Sequence, residues 1–453
     1  MNRLAIISLA FLLLVSCVEQ TKKGIPAKTV TAEDVLAQIS EPKFPDTEIL
    51  LTTFGGTGDG ISDNKTAFEN AIKALAEKGG GKLIVPEGEY LINGPIHLKS
   101  SINLHLVENA TLKFSSNPDD YLPVVKTSWE GTFLYNYSPF IYAYDCENMA
   151  ITGKGTIDGE GHNTWGTWKE KQKESQLLSR EMNHENVPIE ERVFGKGYFL
   201  RPHLIQFFNC RNIKVEGVKM EDSPFWCLHL LKCENVVVRA VRYEAQNKNN
   251  DGIDPEYSKN ILIEDVIFNN SDDNVAIKAG RDNEGRAAES GSENIVVRNC
   301  KIKGLHAVVV GSEMSAGVQN VFVYDCGFAG DLKRGIYLKS NHDRGGFIRN
   351  IFVKNVDFGK VEDCFYITSY YHNEGHGHAT EIKDIFFEDI SCREVTGTGI
   401  VIQGFPEKKV SKVYFTNVQI DSARNAISME NTEQIVMSDL RIGEPATAPS
   451  FVK

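Results

Sequence analysis

The stretch Cys210–Met220, "CRNIKVEGVKM", decides the fold, because the chain repeats it. Copies follow as "CENVVVRAVRY" from Cys233, "SKNILIEDVIF" from Ser258, "SENIVVRNCKI" from Ser292, "VQNVFVYDCGF" from Val318 and "IRNIFVKNVDF" from Ile348. Looser copies continue as "IKDIFFEDISC", "VSKVYFTNVQI" and "TEQIVMSDLRI". Each begins with a polar residue, usually Asn, and alternates β-branched or aromatic residues with polar ones. That period of two is the signature of a strand. The markers Asn212, Asn235, Asn260, Asn294, Asn320 and Asn350 recur at intervals of about 23 to about 34 residues, the range of solenoid repeats. One copy is too short to bury its own apolar face, so successive copies stack and pair in parallel about 4.8 Å apart. The predicted architecture is an all-β, single-stranded parallel β-helix, with the Asn side chains stacked at a bend. A leucine-rich horseshoe would need a regular Leu spacing that these coils lack.

A solenoid has open ends that must be covered. "SDNKTAFENAIKALAEKGGGK" from Ser62 supplies an N-terminal capping helix, with Asp63 as N-cap, Phe68, Ile72 and Leu75 on one face, and Gly79–Gly81 as the stop. The Lys-, Glu- and Gln-rich segment from Trp165 to Arg192 departs from strand character. It reads as a helical insertion, at about 165–200, that walls off one end of a cleft, or as a solvated loop.

The 453 residues are 41% hydrophobic and 24% charged, which implies a packed core. The formal net charge of −12 repels nucleic acid and anionic membranes, so an acidic substrate requires a locally basic cleft. "MNRLAIISLAFLLLVSC" reads as an export signal, too short to span a bilayer. Leu14-Val15-Ser16-Cys17 resembles a bacterial lipobox, which implies lipidation at Cys17 and anchorage in the envelope of a Gram-negative bacterium, with the outer membrane as expected site. The expected organisation is a signal over 1–17, a tether and extension over 18–45, and a β-helix over 46–447. The other eight cysteines lie in or beside apolar runs without CxxC spacing and are expected to be small buried hydrophobes.

Asp251 and the pair Asp272–Asp273 are separated by about one coil, so stacking brings three carboxylates together. Crowded carboxyls split their pKa values, one keeping a proton while another stays ionised. That is the division of labour of glycoside hydrolysis. Strict alternation would point Asp272 and Asp273 to opposite faces, so a shared cleft needs a bend between them. Asp254 and Glu256 are expected at the surface or in turns. Another adjacent pair, Asp119–Asp120, stands in a plain loop context.

"NND" at Asn249–Asp251, "SDD" at Ser271–Asp273, His306 in "LHA" and Lys339 in "YLK" resemble, in order and context, the motifs of the polygalacturonase family of glycoside hydrolases. Flanking text agrees, as in "GKGTIDGEG" at Gly153, "SPFWCLHLL" at Ser223, "IKAGRD" at Ile277 and "VGSEMS" at Val310. The resemblance implies a right-handed, pectin-lyase-like solenoid and an inverting hydrolase. It also implies Asp272 as general acid, Asp251 and Asp273 as holders of the attacking water, His306 as support for the acid's protonation or the substrate's position, and Asn249 and Lys339 as substrate contacts. It implies no cofactor, no metal and a pectic polysaccharide or oligosaccharide as partner.

This chain departs from the pattern at Ser271, Leu305 and Ala307, and most of all at Tyr337, which stands where the family usually places a substrate-binding Arg. Tyr337 is therefore a substrate-contact candidate, and Arg281, Arg334 or Arg344 are candidates for the missing charge. A rhamnogalacturonan-type substrate gains weight from that loss. A polysaccharide lyase, or a solenoid that binds glycan without cleaving it, are the alternatives outside hydrolysis. The insertion leans the reading toward exo action. In "YYHNEGHGH" from Tyr370, a polar loop is expected rather than a metal site at His372, His376 and His378, with Tyr370 or Tyr371 available to stack on a sugar.

Overall fold

The computed structural model describes residues 30–444. Cys17, the leader expected before it and the tail beyond residue 444 lie outside the described residues. Within them the repeats wind into a parallel β-helix whose coils contribute strands to three stacked sheets. In one, Leu83, Leu104, Ile151, Val215, Val238, Ile263, Val297, Val323 and Val353 are successive register partners. All are buried. A second column, Ile205, Leu228, Ile253, Val275, Val308, Ile336 and Phe365, runs up the sheet that carries the site. Each such side chain contributes about 1.5–3 kcal/mol on burial, and each coil covers the open edge of the last.

The Asn markers occupy the bends. Asn212, Asn235, Asn260, Asn294, Asn320 and Asn350 all have φ between 55° and 59°, the left-handed region that Asn tolerates among non-glycine residues. Their amides form a continuous ladder, each donating to the Asn one coil below, starting from Asn148. Outside the core, Phe322, Phe352, Phe386 and Tyr414 stack at 5.1, 4.9 and 4.9 Å, the spacing that parallel pairing sets.

Helix α1 (Ala32–Leu36) opens on a capping box between Thr31 and Asp34. The amphipathic helix α2 (Lys65–Glu77) buries Ala67, Phe68, Ala71, Ile72 and Leu75 against the first coils. Its N-cap is Asn64 rather than Asp63. Asp63 still accepts from Lys65 N at 3.0 Å, but it shares that oxygen with Asn93 N, a long-range partner that sequence spacing does not reveal. Gly79 and Gly80 follow with positive φ. The insertion folds as α3 (Thr164–Trp168) and α4 (Lys173–His184), and a short helix α5 (Asp282–Arg286) follows the "IKAGRD" motif. The antiparallel hairpin Val125–Trp129 and Thr132–Asn136 lies over the outward face of the site-bearing sheet. Cys210, Cys227, Cys233, Cys300, Cys326, Cys364 and Cys392 are buried, and Cys146 is half-buried.

Candidate active site

Two bends place the three carboxylates together. The strand Asp273–Ile277 begins at Asp273, so Asp272 sits in the turn before it, where alternation does not yet hold. The Asn270 amide fixes that turn, donating to the carbonyls of Asn250, Asp272 and Asp273 at 3.1, 3.3 and 3.1 Å. Ser271 N donates to Asn250 Oδ1, and Asp273 N to Asp272 Oδ1 at 3.0 Å. One coil earlier, Gly252 N donates to Asp273 O at 2.9 Å. A Cβ on Gly252 would come within 2.4 Å of Asn274 O, so a glycine beside Asp251 lets the carboxylate-bearing coils close up.

His306 is the register partner of Asp273 on the next coil, and its Nδ1 donates to Asp273 Oδ1 at 2.6 Å. Lys339 Nζ donates to the other oxygen, Oδ2, at 2.9 Å. Burial pushes the Asp273 carboxyl up, but Lys339 and His306 outweigh it and hold the group ionised, well below the usual carboxylate range. Asp272 is half-buried, and burial together with the Asp273 charge raises its pKa. Burial, then Asp254 and Asp272, push Asp251 well above its ordinary value, against the pull of Lys278. The cluster thus contains one fixed anion and two carboxyls driven to hold protons.

Sequence reasoning named Lys339 but missed Lys278, the other cation that organises this cluster. Lys278 is buried 3.5 Å from each of Asp251, Asp254 and Glu313 and lies 4.2 Å from the Trp226 ring centroid. Period two was the available signal. Counting outward along the site-bearing sheet puts Asp254, Glu256 and Lys278 on the face opposite the core. Asp254 and Glu256 are not surface or turn residues: both are 0% exposed. The hairpin covers that outward face, and Glu256 is bonded to His229 at 2.8 Å and to Ser128 of the hairpin at 3.3 Å.

The candidate substrate contacts divide. Asn249, Lys339, Arg281 and Arg344 line the cavity, whereas Tyr337 and Arg334 do not. Tyr337 packs with Ala276 and Val309, covered by Tyr366 and Tyr371. The Arg334 guanidinium lies over the Tyr337 and Tyr366 rings and faces Asp363, one register step past His306. The cavity arginines are already engaged, Arg281 with Glu313 at 2.7 Å and Arg344 with Asp282 and the Ser312 carbonyl. Asn249 accepts from Arg201 at 2.7 Å. The loop from Tyr370 is not merely solvated: Tyr371, His372 and Glu374 line the cavity, while Tyr370 packs on Phe405.

Two trios, Asp272–Asp273–His306 and His184–Asp282–Asp343, bring metal-ligating atoms within 4.8 Å of one another. In each, a protein cation already sits on one carboxylate: Lys339 on Asp273 and Arg344 on Asp282. The other adjacent pair, Asp119–Asp120, bonds Lys196, Ser115 and Asn117 in a surface turn.

The cavity has a volume of about 230 Å³ and is lined by six carboxylates and six Lys or Arg side chains. Burial raises Asp251 and Asp272, which shifts the balance of the cavity toward positive charge inside a chain of net charge −12, in the direction that an acidic ligand requires. The insertion forms part of its wall through Lys169, Gln176 and Arg180. Arg180 of α4 reaches Glu130, at the hairpin turn, and Glu374, at the opposite loop, each at 3.3 Å.

The sequence pattern of glycosyl hydrolases family 28 matches residues 194–439, the span that holds Asp251, Asp272, Asp273, His306 and Lys339. The chain belongs to this family. It is a glycoside hydrolase, and its solenoid is the right-handed parallel β-helix of family 28. A second pattern, rhamnogalacturonase A/epimerase, pectate lyase-like, matches residues 50–117 in the first coils. An exopolygalacturonase of Thermotoga maritima has a solved structure 40% identical to this chain, with a TM-score of 0.85 over 90% of this chain and 96% of that one. A probable polygalacturonase of Vitis vinifera is 28% identical, covering 83% of this chain and 74% of its own length. An endo-polygalacturonase of Pectobacterium carotovorum subsp. carotovorum is also 28% identical, over 85% of this chain and 89% of its own.

Proposed function

We propose that this protein is an exo-acting polygalacturonase that hydrolyses α-galacturonosyl linkages at the ends of pectic chains and oligosaccharides. The observation that carries the reading is the charge division at the cavity floor, where a carboxyl whose pKa is raised, Asp272, adjoins an anion held by His306 and Lys339, Asp273. Asp272 donates its proton to the oxygen of the breaking glycosidic bond. A water held between Asp251 and Asp273 attacks the anomeric carbon, and Asp273 takes the water's proton. His306 and Lys339 hold both Asp273 oxygens in place and burial raises Asp251, which favours carboxyls that orient a water over one that itself attacks carbon. Direct attack by water inverts the anomeric centre.

Exo action is supported by the Arg180 strap and by the cavity volume, below the roughly 300–1,000 Å³ of a cleft that buries a larger ligand. The resemblance to the exopolygalacturonase of Thermotoga maritima agrees. On long polygalacturonate the expected product from the first minutes is a single short species, with slow loss of polymer length. A ladder of intermediate sizes would assign endo action, and release from rhamnogalacturonan alone would reassign the substrate. Proton NMR of the first-formed product is expected to show the inverted anomer; the retained anomer, or an ultraviolet-absorbing unsaturated product, would overturn the mechanism.

We further propose export and lipid anchoring through Cys17, supported by the apolar run and lipobox-like residues before it. A labelled fatty acid is expected to be incorporated by the natural chain but not by Cys17→Ala in a Gram-negative host. Equal labelling of both would remove the anchor from Cys17.

A further inference from the structure

Five of the six cavity cations already have partners. Lys278 faces Asp251, Asp254 and Glu313, Lys339 faces Asp273, and Arg180, Arg281 and Arg344 are each ion-paired. The sixth, Lys169, has no hydrogen bond or ion pair among the described residues, although it is half-buried and lines the cavity with Asp272.

Its position is set by rigid parts. Lys169 is the C-cap of α3, directly after Trp168, and Trp165 and Trp168 are buried among Tyr121, Tyr137, Phe140 and Phe199. The chain just beyond is stitched to the catalytic coil, since Gln172 accepts from Arg201, which in turn donates to Asn249. Holding an unpaired ammonium in a partly desolvated cavity is unfavourable unless an anion joins it. Burial accordingly lowers the Lys169 pKa, with the Glu130 and Asp272 charges opposing and Arg201 adding to the effect.

We propose that Lys169 is a specificity residue that binds the carboxylate of the terminal galacturonosyl ring, supplying from the insertion the charge missing where Tyr337 stands. This rests on the exo-polygalacturonase reading. The carboxylate completes the ion pair that the protein leaves open, so a uronate is preferred over the same ring in neutral form. Among the described residues Lys169 has no hydrogen bond or ion pair to lose, so its replacement leaves the fold intact.

The test uses digalacturonate and digalacturonate methyl-esterified only on its non-reducing ring, with kcat and KM measured separately. Natural enzyme is expected to prefer the free acid. Lys169→Met is expected to raise KM for the free acid by about tenfold to a hundredfold, the range for one charge-assisted bond, with kcat within about threefold, an unchanged melting temperature and no remaining preference over the ester. Lys169→Arg is expected to keep the preference. Retention of the natural preference by Lys169→Met, or equal use of acid and ester by the natural enzyme, would overturn the inference while leaving the hydrolase reading standing. Natural enzyme inert toward both compounds would overturn the exo-polygalacturonase reading and this inference together.

Discussion

Asp272→Asn is expected to lower kcat on oligogalacturonate by about 10²–10⁴-fold, the contribution of a positioned general acid. Asparagine keeps the shape and the oxygen that accepts from Asp273 N, so the turn stays closed and only the transferable proton is lost. Burial and the Asp273 charge raise the Asp272 carboxyl, and the neutral amide has no charge to bury there, so the variant melts no lower than the natural protein. An aryl galacturonide, whose leaving group departs without protonation, separates this role from a structural one: on it the loss should shrink to about tenfold or less. Equal losses on both substrates, or unchanged reducing-end release, would remove Asp272 from the acid role.

The second large effect is expected at Lys278. Replacing it by Met leaves Asp251, Asp254 and Glu313 in a buried site without their shared cation, and breaking a buried ion pair from one side costs about 3–5 kcal/mol. The loss depends on pH. Burial pushes the Glu313 carboxyl up, but Lys278, Arg281 and Arg344 outweigh it and hold it below its usual range. Its stabilisation is therefore present above the ordinary carboxylate pKa and disappears as pH falls through the depressed value. Burial raises Asp254 even with Lys278 beside it, so in the natural protein this group already disfavours the fold as pH rises above the ordinary carboxylate range. Removing Lys278 sharpens that penalty. Denaturant titrations should therefore show the two proteins far apart near pH 7, with the gap narrowing only as pH falls well below the ordinary carboxylate range toward the depressed Glu313 value, and Lys278→Met with Asp254→Asn should recover part of the loss at pH 7. A pH-independent difference would mean that Lys278 acts through its packing on Trp226 instead.

These effects follow from contacts of different legibility. The Asn ladder was written in the sequence because its physics is local: a left-handed bend favours Asn, and stacking repeats it once per coil. The order of Asp251, Asp272 and Asp273 was legible for the same reason, since coils in register turn an interval of one repeat into contact. The capping helix was readable from its apolar face, and only its first residue shifted, from Asp63 to Asn64.

What the sequence by itself determined, then, is the winding and the carboxylates it gathers, both set by repeat length and by alternation along a strand. The tertiary structure alone decided which cation meets which carboxylate and what covers the outward face of the site-bearing sheet. Lys339 pairs with Asp273 rather than waiting free for a sugar, Asp254 and Glu256 are sealed under a hairpin, and Lys169 has no ion pair among the described residues. The physical reason is that an ion pair is chosen by distance through space at a few ångströms. The hairpin and insertion that set those distances leave the repeat, so no periodicity records where they land.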